Sequence, residues 1–229
     1  MRIFNFLKNN NPQRLKTAEQ RKIETEKLLK SLNIPFINHL PQIEEENEAK
    51  IRKPQEIAER ALILTYLSYI SEVPEEKENV IDFLKSHTLW DKVSPDEKQL
   101  FQKEKLTNQE MINISWRSEA IWILLWTINK VERIELPIEQ VEIEEIISKL
   151  PDFLEDPKEF IDSSIIRPTS EILDFSDLTY RLHWATRNSD LDGKEMPTNL
   201  NSSIAFERHY AINWITFYAD EWDEITTDT

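Results

Sequence analysis

The feature that most constrains this fold is the stretch from Ile114 to Asn129, which reads ISWRSEAIWILLWTIN. At about 100° per residue, the apolar residues between Ala120 and Ile128 point in every direction around a helix. A helix that is apolar on all sides is either a membrane span or the centre of a globular core. A span needs roughly 20 apolar residues, whereas this run is shorter and follows two charges, Arg117 and Glu119. We therefore predict a buried core helix.

Glycine is nearly absent from this chain of 229 residues, since Gly193 is the only one. β-Hairpins and phosphate-binding loops both rely on Gly for backbone conformations that other residues avoid. The sequence accordingly has neither the GxGxxG nor the GxxxxGK[ST] motif of nucleotide-binding proteins. This composition predicts helices joined by Pro-containing turns, with little or no strand.

Capping motifs mark the start of several helices. The segments Thr17–Gln20, Ser94–Glu97 and Thr107–Glu110 each place a Ser or Thr three residues before a Glu or Gln, as a capping box requires. An acidic, amphipathic stretch from Ile138 to Leu150 predicts a further helix. In the helix after Thr17, the residues expected on the buried face are Ile23, Leu28, Leu29 and Leu32.

Together these signals predict an all-α fold. We expect about eight helices packed around the helix at 114–129, in a single compact domain that spans residues 17–229. Residues 1–16 are Asn-rich and irregular, so we expect them to form a loose N-terminal arm. The Trp residues are expected mainly in the core, and Trp222 is expected to dock the acidic C-terminal segment onto the domain.

The charge and the missing Cys restrict the functional classes. A formal net charge of -15 argues against nucleic acid as a partner and is compatible with a basic protein partner. The absence of Cys excludes disulfides, a thiol nucleophile and Cys-ligated zinc. The N-terminal residues lack a signal sequence and no membrane span is predicted, so we expect a cytoplasmic protein. The sequence does not indicate an oligomeric state.

Polar side chains on the two C-terminal helices form the best candidate site. They lie between or beside apolar stripes, so burial would bring Arg, Glu and His side chains together, as in many catalytic or ligand-binding pockets. The candidates are Arg181, His183, Arg187, Glu207, Arg208 and His209.

The alternative interpretation is a structural network of buried ion pairs, because a charge near a core needs a partner. Asp177 and Arg181 have the i, i+4 spacing of a helix-surface pair. Glu119 shares a helix with the apolar run, and we predict that it pairs with Arg181, Arg187 or Arg208. The residues of this interpretation are Glu119, Asp177, Arg181, Glu207 and Arg208.

No metal site or cofactor is predicted. The chain has four His residues, and no two of them form an HxxxH or HExxH motif. There is also no GxSxG motif to suggest a serine hydrolase.

Several motifs of the C-terminal third form a recognisable set. They are RLHWATR at 181–187, ERHYAINW at 207–214, Trp222-Asp223 and Thr227–Thr229. Earlier members of the set are Leu40-Pro41, Ile51-Arg52, EIAER at 56–60, Leu89-Trp90, SPDE at 94–97, Trp116, Glu119-Ala120 and Leu125-Trp126. Together these motifs resemble a bacterial family, domain of unknown function 4272. The resemblance covers the chain from about Lys22 and implies one domain, and it implies no activity, ligand or catalytic residue.

Two functional hypotheses follow from the sequence. The first is a non-enzymatic protein-binding module, for example an immunity-type inhibitor of a basic partner, based on the acidity and the missing catalytic motifs. The second is an enzyme or small-ligand binder that uses the Arg, Glu and His side chains of the C-terminal helices. A cavity beside those side chains would favour the second hypothesis.

Overall fold

The computed structural model describes residues 16–193, 196 and 198–229, so the predicted loose arm lies outside the described residues except for Lys16. The described part contains nine α-helices and no strand, which confirms the predicted all-α fold. The helices are α1 (Ala18–Ser31), α2 (Pro54–Glu72), α3 (Lys77–Ser86), α4 (Pro95–Gln102), α5 (Asn108–Thr127), α6 (Ile143–Ile147), α7 (Lys158–Asp162), α8 (Thr169–Asp192) and α9 (Ser202–Ile215).

Reciprocal hydrogen bonds begin three of these helices where the sequence predicts them. At the start of α1, α4 and α5, the N-cap hydroxyls of Thr17, Ser94 and Thr107 accept from the backbone N–H three residues later. The Gln or Glu at that position accepts in return from the N-cap N–H. These bonds satisfy N–H groups that have no partner within the helix.

Helix α5 is the centre of the core, as predicted. Helices α2 and α9 pack against it, and α8 packs against α9. Five of the six positions of α5 from 121 to 126 are fully buried, which requires neighbours on every side of the helix. They are Ile121, Ile123, Leu124, Leu125 and Trp126, with Trp122 partly buried between them.

Helix α1 packs on α8 at the edge of the structure and buries a partly polar face. Leu28 and Leu29 contact a small apolar cluster that includes Leu178 of α8. The prediction for Ile23 is wrong, because its side chain is 56% exposed whereas Arg21 is 1% exposed. Arg21 is buried because it bonds to a carboxylate of α8.

The predicted helix from Ile138 to Leu150 is shorter in the structure, where only Ile143–Ile147 is α-helical. The residues before it are held against α5 by side-chain bonds. Gln140 Nε2 donates to the Ser115 carbonyl at 2.8 Å, and the Val141 N–H donates to Glu119 Oε1 at 2.7 Å. An N–H that bonds to a carboxylate of another helix is not available for a helical bond of its own.

The chain reverses direction after α9. Helix α9 stops at Ile215, and Phe217 has a φ of 57°, a left-handed conformation that turns the chain back. The C-terminal segment then returns over α9, and Trp222 is 2% exposed against the main core, as expected. Among the described residues, no helix is both long enough and apolar enough to cross a bilayer.

The central position of α5 gives a first testable prediction. Replacing Ile121 with Ala should lower the free energy of unfolding by about 2–5 kcal/mol, because the side chain is fully buried and its removal leaves a cavity. The matched change Ile112→Ala, on the same helix but at a side chain that is 51% exposed, should alter it by less than about 0.5 kcal/mol. Urea unfolding followed by far-UV circular dichroism measures both, and equal losses would contradict a core centred on α5.

Candidate functional site

A cleft of about 560 Å³ opens between the first half of α5, the end of α8 and the start of α9. This volume is within the usual range for small-molecule sites. We call it the α5/α8/α9 cleft. Its lining residues are Gln109, Ile112, Asn113, Trp116 and Arg117 of α5, His183, Arg187 and Asp190 of α8, and Ser202, Ser203, Phe206 and Glu207 of α9.

An ion pair between Arg117 and Glu207 forms part of the cleft wall. Arg117 Nη1 lies 3.1 Å from Glu207 Oε2, and the guanidinium carbon lies 5.2 Å from the Tyr210 ring centroid. The Glu207 side chain is only 8% exposed, so burial raises the pKa of its carboxyl, and the nearby Glu119 raises it further. Arg117 opposes both effects and keeps a partly exposed face, with 27% of its side chain accessible.

Two imidazole rings meet at the interface of α8 and α9. His183 Nδ1 and His209 Nδ1 are 2.9 Å apart, so one ring donates its N–H to the other ring's lone pair. Burial lowers the pKa of His183 to about 4, assisted by Arg187, and lowers the pKa of His209 to about 3, assisted by His183. Both rings are therefore neutral near pH 7. His183 lines the cleft, whereas His209 lies behind it.

A second ion pair lies on the core side of the same helices. Glu119 is fully buried, and its Oε2 accepts from Arg208 Nε at 2.7 Å. Arg208 Nη1 also donates to the Glu135 carbonyl at 2.6 Å. Together with the Val141 N–H on Oε1, these bonds leave neither oxygen of the Glu119 carboxylate without a donor. Arg208 is one of the three Arg residues proposed from the sequence as partners of Glu119.

Arg181 is also occupied by structural contacts. Its guanidinium is fully buried and bonds to Asp177 at 2.9 Å, one turn earlier on α8. It also donates to the Pro41 carbonyl at 3.1 Å and lies 3.5 Å from a carboxylate oxygen of Glu26. These contacts fasten α1 and the segment after it to α8.

The structure therefore divides the six candidates into two groups. His183, Arg187 and Glu207 line the cleft. Arg181 and Arg208 bond to carboxylates away from the cleft, and His209 bonds to His183 from behind it. Within the described part of the chain, no group of three or more His, Asp or Glu side chains is arranged to hold a metal ion.

Comparison with known proteins places the chain in a family. The family model for a domain of unknown function, DUF4272, matches residues 21–225. The chain belongs to the DUF4272 family. The match spans nearly all of the helical part and confirms the resemblance seen in the sequence motifs. Searches of curated proteins and of solved structures returned no match.

In this DUF4272 protein, sequence reasoning missed Arg117 as a cleft residue. A signal for it exists, because Arg117 and Glu119 are about 200° apart around a helix and so face nearly opposite sides. Once Glu119 is assigned to the core, Arg117 must point outward, towards whatever packs beside α5. The partly exposed Trp116 and the exposed Ile112 gave no comparable signal, because isolated apolar residues on a surface are common.

A polar network at the interface of α1 and α8 was also missed. Asp174 accepts from Lys16 Nζ at 2.7 Å and from Arg21 Nε at 2.8 Å, and all three side chains are buried. Burial raises the pKa of the Asp174 carboxyl, and the two cations oppose that rise. Lys16 just before α1 and Arg21 within it are charged, so the sequence did not mark this buried face by apolar residues.

The His pair predicts how the stability of this DUF4272 protein depends on pH. Both folded-state pKa values lie below the ordinary value of 6.5, so the unfolded chain binds protons first as the pH falls. The stabilisation from the two neutral rings is thus complete above about pH 6.5 and is lost as the pH falls towards 4 and 3. Each proton that the unfolded chain binds and the folded chain does not makes the free energy of unfolding fall by about 1.4 kcal/mol per pH unit.

Urea unfolding at several pH values tests this prediction. The double variant His183→Gln/His209→Gln should show a flatter fall in the free energy of unfolding between pH 6.5 and 4 than the parent. Replacing the exposed His39 with Gln should leave the slope unchanged. If the double variant keeps the slope of the parent, the two rings are not held neutral by burial.

Proposed function

We propose that this protein binds a small ligand with an anionic group and an apolar part in the α5/α8/α9 cleft. The observation that carries the proposal is the convergence of three sequence-predicted residues, His183, Arg187 and Glu207, on one cavity with Arg117. A convergent set of polar side chains in a cavity of this size is the usual composition of a ligand site. The proposal is for binding, and it assigns no catalytic step to the residues of the cleft lining.

Charge at the cleft favours the anionic group. Arg117 and Arg187 are both cleft residues in a chain whose formal net charge is -15. The first residues of α9, Ser202 and Ser203, bring two hydroxyls and the positive end of a 14-residue helix to the same cavity. Glu207 and Asp190 carry the opposite charge. Because Arg117 and Glu207 neutralise each other as an ion pair, Arg187 and the start of α9 are the groups that would hold the anion.

The apolar part of the ligand would contact apolar side chains that are exposed to solvent. Ile112 is 51% exposed and Phe206 is 39% exposed, and both line the cleft with Trp116. Aromatic and aliphatic side chains in a concave site supply contact area for binding, whereas the polar groups orient the ligand. The neutral His183 ring, whose Nδ1 is used by His209, has Nε2 left for a hydrogen bond with the ligand.

A matched set of small probes tests this function. Benzoate, benzyl alcohol and benzylamine share a ring and differ in charge, so titration by ligand-observed NMR separates the two parts of the proposal. We expect benzoate to bind more tightly than the other two. The variant Arg187→Gln should weaken benzoate binding by about tenfold, because it removes a charge-assisted hydrogen bond.

The control is Arg133→Gln, which removes an Arg outside the cleft lining that pairs with the exposed Glu132. It should leave benzoate binding unchanged. Equal binding of the three probes, or an equal loss in both Arg variants, would contradict an anion site in the cleft.

A second candidate function is binding of a basic protein, as an immunity-type inhibitor would do. It is supported by the formal net charge of -15 and by the many exposed carboxylates of the chain. This function uses the outer surface rather than the cleft, so the two proposals can be tested separately.

A further inference from the structure

The short helix α6 and the residues before it expose aliphatic side chains without a cover. Ile138, Ile143 and Ile147 are 40%, 42% and 56% exposed. Ile143 and Ile147 are four residues apart and therefore share one side of α6. The neighbouring Ile146 is fully buried in the main core, so the helix has one face on the protein and another turned to solvent.

Four exposed carboxylates accompany these isoleucines: Glu139, Glu142, Glu144 and Glu145. None of the four side chains is bonded to another residue in the part of the chain that the structure describes. By contrast, the exposed carboxylate of Asp162 is paired with Lys158, one turn away on α7. The segment 138–147 thus combines uncompensated negative charge with exposed aliphatic side chains.

This segment is held rigidly enough to act as a preformed surface. Gln140 is bonded to Ser115 and Ser118 of α5 at 2.8 Å each, and the Val141 N–H is bonded to Glu119. The buried Ile146 holds the far end. A surface that is already ordered loses little conformational entropy when a partner binds.

We infer that residues 138–147 form a docking surface for a basic protein whose contact region has an apolar centre surrounded by Lys or Arg. The inference rests on the second candidate function and assigns it a location. Charge complementarity selects the occupant. A second copy of this chain would bring like charges together, and anionic lipid headgroups or nucleic acids would be repelled.

A synthetic peptide of lysine and leucine, amphipathic as a helix, serves as the probe, with polylysine of the same length for comparison. Fluorescence anisotropy measures binding to the full chain. The variant Glu142→Gln/Glu144→Gln/Glu145→Gln should weaken peptide binding by about tenfold at low salt, and less as salt screens the charges. The variant Ile143→Ser/Ile147→Ser should weaken binding of the lysine–leucine peptide and leave binding of polylysine unchanged.

Matched controls change the same residue types elsewhere on the surface. Glu72→Gln/Glu75→Gln/Glu78→Gln removes three exposed carboxylates around the start of α3, and Ile23→Ser/Ile165→Ser changes two exposed isoleucines. Neither control should alter peptide binding by more than about twofold. Equal losses of peptide binding in the variants of segment 138–147 and in the control variants would overturn the inference. Binding would then be explained by non-specific attraction between opposite charges. Failure of the peptide to bind at all would overturn the second candidate function as well, without affecting the cleft.

Discussion

The structure depends on how it accommodates one carboxylate, that of Glu119, inside its most apolar helix. An unpaired charge at a fully buried position would be strongly destabilising. Arg208 and the Val141 N–H supply the donors, so a single side chain joins α5, α9 and the connector before α6. The Glu135 carbonyl accepts in turn from Arg208. The C-terminal helices are thus fixed to the core by a hydrogen-bonded ion pair as well as by apolar packing.

The cleft lies on the other side of the same helix interface. Each of the two helices carries a second charge on a different side, Arg117 on α5 and Glu207 on α9, and these two pair with each other at the cleft wall. The Glu119–Arg208 pair faces the core, and the Arg117–Glu207 pair faces the cavity. The cleft opens on the side of this interface that carries the Arg117–Glu207 pair, and the end of α8 forms its third wall. The structural and the ligand-binding interpretations of these residues are therefore compatible.

The sequence predicted the fold better than the site. The scarcity of Gly predicted helices, the capping boxes predicted where three of them begin, and the apolar stretch predicted the central helix α5. These predictions rest on local chemistry, and the structure confirms them. The errors occur where a tertiary partner overrides a local pattern: Arg21 is buried by a carboxylate of α8, and α6 is shortened by bonds to α5. For the site, half of the six candidates line the cleft, because helix periodicity gives the side of a helix but not the neighbour that it meets. The side that Arg117 faces follows from the burial of Glu119, which depends on its tertiary partner Arg208.

A double-mutant cycle on Glu119 and Arg208 tests the central claim most directly. Free energies of unfolding are measured for Glu119→Leu, Arg208→Met and the double variant. Each single variant should lose about 3–5 kcal/mol, because it leaves the partner charge buried and unpaired. The double variant should lose much less than the sum of the single losses, with a coupling energy of at least about 1 kcal/mol. Losses that add to within about 0.5 kcal/mol would contradict the account, since the two residues would then stabilise the fold independently.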